Sequence, residues 1–194
     1  MKNLIIFGAG GHAISCLDVI ISTKKYKVIG YVSEKENKNL SKKIRWLGND
    51  QYINKIKKTD SAIIAFANIG KKNLNNRIRI YNELKKKGCK LPVIKSINSY
   101  ISKNAKIDCG SIIMHGVIIN ANVRIGKNCI INSKSLIEHD TIIGDHCHIS
   151  TGVIVNGNCK ILDKTFIGSG SIMLNDVKCR RKIFAAGEII KKRL

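Results

Sequence analysis

Residues 131–149 read INSKSLIEHDTIIGDHCHI, and in them Ile131, Ile137, Ile143 and Ile149 fall on every sixth position. The same beat runs back through Ile125, Ile119, Ile113 and Ile107 to Ile101, and forward through Val155, Ile161 and Ile167 to Met173, without insertion or deletion. Four residues after each aliphatic the side chain is small or β-branched, as at Ala105, Val117, Cys129, Ser135, Thr141, Cys147 and Cys159. An α-helix would mix apolar spacings of three and four. A fixed six-residue period is instead one short strand and a turn, too small to bury its own aliphatic side chain, so the hexads must stack into a solenoid.

If three hexads close one triangular coil, residues eighteen apart lie on adjacent rungs, about 4.8 Å from each other. Three interior ladders are then expected, beginning Ile101–Ile119–Ile137, Ile107–Ile125–Ile143 and Ile113–Ile131–Ile149.

Upstream, Asn3 to Phe7 reads as an apolar strand entering Gly8-Ala9-Gly10-Gly11-His12-Ala13. A helix bearing Ile14, Leu17, Ile20 and Ile21 follows, and Lys27 to Val32 completes a β-α-β unit. The glycines permit a tight turn onto a helix start whose free N–H groups suit a phosphate. Glu34, just past the second strand, stands where an acid could meet a ribose or base. Further strands are expected at Ile44 to Leu47, Ser61 to Phe66 and Leu91 to Ile94, the last closing the small sheet. Asp50 is expected to cap a short helix, and Asn73 to Lys87 reads as an amphipathic helix, apolar at Leu74, Ile78, Tyr81 and Leu84 and ended by Gly88. The fold class is thus an α/β, Rossmann-like domain over residues 1–95 and a parallel β-helix over 96–194, the last residues forming a strand or helical turn.

The chain has 194 residues and a net charge of +22, with 44% hydrophobic and 5% aromatic residues. The lysines are scattered and the aromatics too sparse for base-stacking platforms, which argues against nucleic acid as a partner. A basic surface does favour small anionic ligands. The apolar runs fall short of a bilayer span, and the N-terminus enters a strand rather than a leader, so the expected place is the cytoplasm with no membrane insertion. Seven cysteines with no Cys-x-x-Cys spacing indicate neither a disulfide framework nor a zinc site.

Four histidines, His115, His139, His146 and His148, fall in the repeats, none on an interior position; His115 and His146 read as surface residues. In Glu138-His139-Asp140 an imidazole is flanked by two carboxylates, and a carboxylate on one ring nitrogen raises basicity at the other. Eighteen residues on stands Gly157, whose bare N–H could donate to an oxyanion at an acyl carbonyl. His148 is the second histidine assigned to the site.

A glycine-rich β-α-β domain opening with Gly8-Ala9-Gly10-Gly11-His12, followed by a hexapeptide array bearing Glu138-His139-Asp140 and then His148, resembles the NeuD/PglD-like sugar acetyltransferases of bacterial surface-glycan synthesis. The resemblance implies a left-handed β-helix, a homotrimer, acetyl-coenzyme A as co-substrate without a metal, and direct transfer to a UDP-linked 4-amino-4,6-dideoxy sugar. It implies His139 as general base, Asp140 as its orienting partner, Gly157 as oxyanion donor and His148 as a contact of acetyl-coenzyme A. Gly8, Gly10, Gly11, His12 and Glu34 would line the nucleotide-sugar site. Three features depart from the family pattern. Ser33-Glu34 stands where paired acids are usual, no proline opens the β-helix, and Ala185-Ala186-Gly187 replaces a Gly-x-Pro-Ala segment. O-acetylation of sialic acid or another sugar hydroxyl and a non-catalytic nucleotide-binding scaffold are the alternatives. A nicotinamide-dependent oxidoreductase fails on domain size.

Overall fold

The apolar run at the start of the chain forms β1 (Lys2–Phe7), whose last four residues are buried. In this computed structural model, which describes residues 1–67, 70–179 and 182–192, β1 is an inner strand of a four-stranded parallel sheet. Its neighbours are β2 (Tyr26–Val32) and β4 (Ser61–Ile64), and β3 (Trp46–Gly48) lies outside β2. Because β2 and β4 flank β1 on opposite sides, the carboxyl end of β1 is a switch point, the place where open α/β sheets take ligands. Helix α1 (Gly11–Ser22) buries Ala13, Cys16, Leu17, Val19 and Ile20. Ile21, expected on that face, is 60% exposed, because the buried stripe turns through Val19 instead.

Asn49, not Asp50, caps the short 3₁₀ turn Asp50–Lys55, accepting from Gln51 N at 3.1 Å. A four-residue helix, α2 (Lys38–Ser41), precedes β3, and α3 (Gly70–Lys86) follows β4. Besides Tyr81 and Leu84, α3 buries Ile80 and Arg77. The strand expected at Leu91 to Ile94 does not close this sheet. Lys90 makes a single bridge to Ser61, while Ile94–Lys95 pairs with Ile112–Ile113 and opens the second structural unit. The chain divides at that point into two compact units, Met1–Pro92 and Val93–Leu194.

The second unit consists of two-residue strands in three parallel sheets. Their registers follow the eighteen-residue offset: Ile101 pairs with Ile119 and Ile137 with Val155, Ile107 with Ile125, and Ile113 with Ile131. From Ile113 to Met173 every sixth residue is at most 2% exposed, and the small-residue positions are buried beside them. Corners turn through left-handed backbone at Asn122, Asn128, Asp140, His146 and Asn158 among others, residues whose short polar side chains tolerate that conformation better than most. Cys129, Cys147 and Cys159 are free, buried thiols that donate to the carbonyls of Gly144, Leu162 and Leu174 at 3.0–3.1 Å. Ile183–Phe184 and Ile189–Ile190 add a last rung. Arg193, part of the terminal basic run, and Leu194 lie outside the described residues.

Candidate functional site

His139 stands two residues past the strand Leu136–Ile137, at the corner before Ile142–Ile143. Its Nδ1 donates to Asp140 Oδ2 at 2.8 Å. A carboxylate can only accept, so this bond places the proton on Nδ1 and leaves Nε2 with its lone pair. Asp140 Oδ1 accepts from Asn122 Nδ2 at 3.0 Å. The bond from His139, then that from Asn122, holds the Asp140 carboxyl below the usual carboxylate range. Glu138, the other flanking acid, does not share this role. It accepts from Asn120 Nδ2 at 2.9 Å.

The rung above supplies the bare position. A Cβ built on Gly157 would lie 2.8 Å from both Cε1 and Nε2 of His139, so the imidazole rests against backbone that only glycine leaves open. Among the described residues nothing accepts from the Gly157 N–H, while its carbonyl accepts from Asp176 N at 3.0 Å. A proton acceptor on the exposed His139 and an unused N–H on the buried Gly157 thus stand on adjacent rungs, a pairing that can deprotonate a nucleophile and stabilise an oxyanion. Beside it lies a groove of about 1220 Å³. Asp140 and Asn158 border it, and four lysines, Lys160, Lys178, Lys191 and Lys192, line it.

His148 is not part of this corner within one protomer. It sits in the strand His148–Ile149, on the sheet across the coil, 2% exposed and edge-on to Phe166 with ring centroids 5.2 Å apart. That burial leaves it no surface for a coenzyme contact. His146, expected at the surface, is 6% exposed. Its left-handed corner turns the ring back along the solenoid to a hydrogen bond with Asn128 Nδ2 at 3.0 Å. His115 is half-buried, with Nδ1 2.7 Å from Ser96 Oγ. Among the described residues no group of three or more His, Cys, Asp or Glu could hold a metal ion, and no helix is long and apolar enough to cross a membrane.

In the first unit the glycine loop lies at the switch point. Gly8 has φ +128°, and a Cβ there would meet Ala65 O at 2.9 Å. Gly10 caps α1, and a Cβ on Gly10 or Gly11 would meet only open space. His12, in the first turn, is largely buried. Desolvation, then the nearby Arg77 guanidinium, lowers its pKa to about 4, so the ring is neutral at pH 7. Glu34 is exposed in the loop after β2.

Four residues that sequence reasoning passed over frame these sites. Asn37 Nδ2 donates to Ala9 O at 2.7 Å and ties the glycine loop to the loop after β2. Arg77, 0% exposed, donates to Ile64 O and Phe66 O at the end of β4. Asn120 and Asn122 were open to the eighteen-residue rule that singled out Gly157. Arg77 carried no signal, since an arginine on an amphipathic helix reads as solvent-facing.

Residues 3–84 match a family model described as the PglD N-terminal domain, and residues 96–193 match one described as the GMPPB C-terminal domain. No curated protein sequence matches the chain. Among solved structures it is similar to the acetyltransferase domain of PglB from Neisseria gonorrhoeae in complex with acetyl coenzyme A, with TM-score 0.88 and 22% identity over 98% of this chain and 91% of that one. It is also similar to a histidine-to-asparagine mutant of perosamine N-acetyltransferase from Caulobacter crescentus in complex with CoA and GDP-perosamine. There the TM-score is 0.80, with 19% identity over 100% and 98% of the two chains. WeeI from Acinetobacter baumannii gives a TM-score of 0.73, with 21% identity over 96% and 95%. At these identities the likeness is one of fold: an α/β domain followed by a left-handed parallel β-helix.

Proposed function

We propose, from the match of residues 3–84 to the PglD N-terminal domain, that this chain is a NeuD/PglD-like sugar acetyltransferase and transfers acetyl from acetyl-coenzyme A to the amine of a nucleotide-activated 4-amino-4,6-dideoxy sugar. The observation that carries the reading is His139, with Asp140 on Nδ1 and the bare Gly157 backbone against its other edge. The acceptor amine attacks the thioester carbonyl as Nε2 of His139 takes its proton. The Gly157 N–H stabilises the tetrahedral oxyanion, which collapses to the amide. The departing thiolate recovers the proton from His139, so the ring ends as it began.

The groove beside Asp140 sets four lysines against Asp140, Asp176 and Glu188, with Lys192 3.8 Å from Asp176, and its lysines are assigned to the phosphates of a coenzyme that carries a diphosphate and a further phosphate on its ribose. Gly8, Gly10, Gly11 and neutral His12 are assigned to the nucleotide's phosphates, and Glu34 to its ribose or base. His148 is left out because it is buried against Phe166. Relatives in complex with acetyl coenzyme A and with CoA and GDP-perosamine support the substrate class.

A homotrimer completes the reading. One sheet carries an outward apolar row, with Ile118 42%, Ile172 37% and Ile189 63% exposed, a surface that a soluble chain covers with a partner. His139 lies at the border of that sheet.

The test is turnover of acetyl-coenzyme A against a panel of a UDP-linked 4-amino-4,6-dideoxy sugar, GDP-perosamine and free sialic acid. Release of coenzyme A with an amine acceptor and not with sialic acid is expected. Substituting His139→Ala should lower kcat by about a hundred- to ten-thousandfold, the contribution of a positioned base. Undiminished turnover in that variant would remove His139 from the mechanism, and no coenzyme A release with any acceptor would favour a binding scaffold.

A further inference from the structure

The corner that carries His139 repeats along the solenoid. Asn122, Asp140, Asn158 and Asp176 stand eighteen residues apart, with φ of 62°, 59°, 55° and 59°. They pair rung to rung: Asn122 Nδ2 donates to Asp140 Oδ1 at 3.0 Å, and Asn158 Nδ2 donates to Asp176 Oδ1 at 2.8 Å. The two pairs differ in what precedes the aspartate. His139 stands before Asp140, whereas Asn175 stands before Asp176. The rung below His139 also carries Asn120, which engages Glu138. Each acid that flanks the imidazole is thus held by an asparagine of the preceding coil.

We propose that Asn122 is a positioning residue for His139: it anchors one oxygen of Asp140 so that the other is presented to Nδ1, holding the ring with Nε2 bare. The proposal rests on the reading of His139 as the general base. The side chains of His139 and Asp140 are 58% and 50% exposed, and an exposed carboxylate on a one-carbon stem rotates freely unless a second bond fixes it. Asparagine suits the place because its amide donates and because it accepts the left-handed backbone. Asn120 complements it by engaging Glu138, so that Asp140 alone pairs with the ring.

A plain corner bond would have the same geometry, and the Asn158–Asp176 pair supplies the comparison. Glycine is the informative replacement at both sites, since it keeps the positive φ and deletes only the amide. The full-length chain is prepared as Asn122→Gly and Asn158→Gly. Two readouts are taken: kcat for acetyl transfer over the acceptor panel, and the ¹⁵N signature of the His139 ring at mildly alkaline pH, assigned by its loss in His139→Ala. In Asn122→Gly, kcat falls about tenfold, part of the range that a positioned base supplies, and the ring moves from the Nδ1–H form toward a mixture of tautomers. The KM for acetyl-coenzyme A stays within about twofold, as a chemical-step defect requires. Asn158→Gly leaves the ring tautomer unchanged, whatever it does to binding at the groove it borders. An unchanged tautomer in Asn122→Gly, or an equal tautomer shift in the two variants, overturns the proposal. Full turnover in His139→Ala is a different failure: it removes the base itself, while the ring signature still decides whether Asn122 orients it.

Discussion

At the scale of single residues, the proposed transfer rests on what is missing at Gly157, and the pH dependence of stability on what is buried at His12. Gly157→Ala adds a methyl 2.8 Å from the His139 ring. No positive φ is involved, and the obstacle is the end of a flexible, exposed side chain, so the ring gives way and the backbone does not. Turnover is expected to fall about a hundredfold, the scale of a misplaced catalytic group, with a melting temperature close to the parent's. An active variant would mean that the ring position is not used. His12 makes the opposite kind of prediction. Its pKa drops from 6.5 to about 4 on folding, so between those values the unfolded chain holds the proton and the folded chain excludes it. Stability is therefore undiminished above about pH 6.5 and is lost as pH falls toward 4, by up to about 3 kcal/mol at about 1.4 kcal/mol per pH unit. Unfolding of the parent and of His12→Asn, compared from pH 7 to pH 4, should show the parent losing stability faster. Parallel curves would contradict the burial argument.

At the scale of elements, each rung is held by its interior aliphatic more than by its two-residue strands. Ile137 is 0% exposed and sits between Ile119 and Val155 in one ladder. Ile137→Ala should cost about 2–5 kcal/mol, the range for deleting such a side chain from a close-packed core, measured by chemical denaturation. This periodicity is why the β-helix was legible in the sequence: a side chain that must face a narrow interior on every third of a coil leaves a beat that nothing else produces. The beat fails at both ends for physical reasons. Lys95 takes the register position below Ile113, and a lysine there hides the first rung. At the other end Phe184 pairs with Ile167, and Ile190 with Met173, at seventeen residues instead of eighteen, so one missing residue breaks the count. The juxtaposition of His139 and Gly157 was legible by the same stacking rule. The support beneath it was legible too, at Asn120 and Asn122, but it takes a side-chain bond to show which carboxylate each one claims. Arg77 lay beyond reach, because its burial is set by the carbonyls of Ile64 and Phe66, which no spacing within α3 reveals.

At the scale of the whole molecule, two surface properties oppose each other in the proposed trimer. Each chain carries a net charge of +22, so copies repel, and that repulsion is screened beyond about 8 Å at physiological salt. The outward row bearing Ile118, Ile172 and Ile189 attracts in the same assembly. An association driven by apolar burial against like charges tightens as salt is added, whereas one built on ion pairs loosens. Sedimentation of the parent chain should show three copies per particle, with the three-copy fraction rising with salt at low protein concentration. Ile118→Glu together with Ile172→Glu places acids within the row without touching an interior ladder. This double variant should sediment as single copies, retain its rung signature by circular dichroism and lose acetyl transfer, since His139 lies at the edge of the sheet the partner would cover. A parent that sediments as one copy, or a double variant that stays assembled and active, would detach the site from the assembly and return the exposed row to an unexplained feature of one chain.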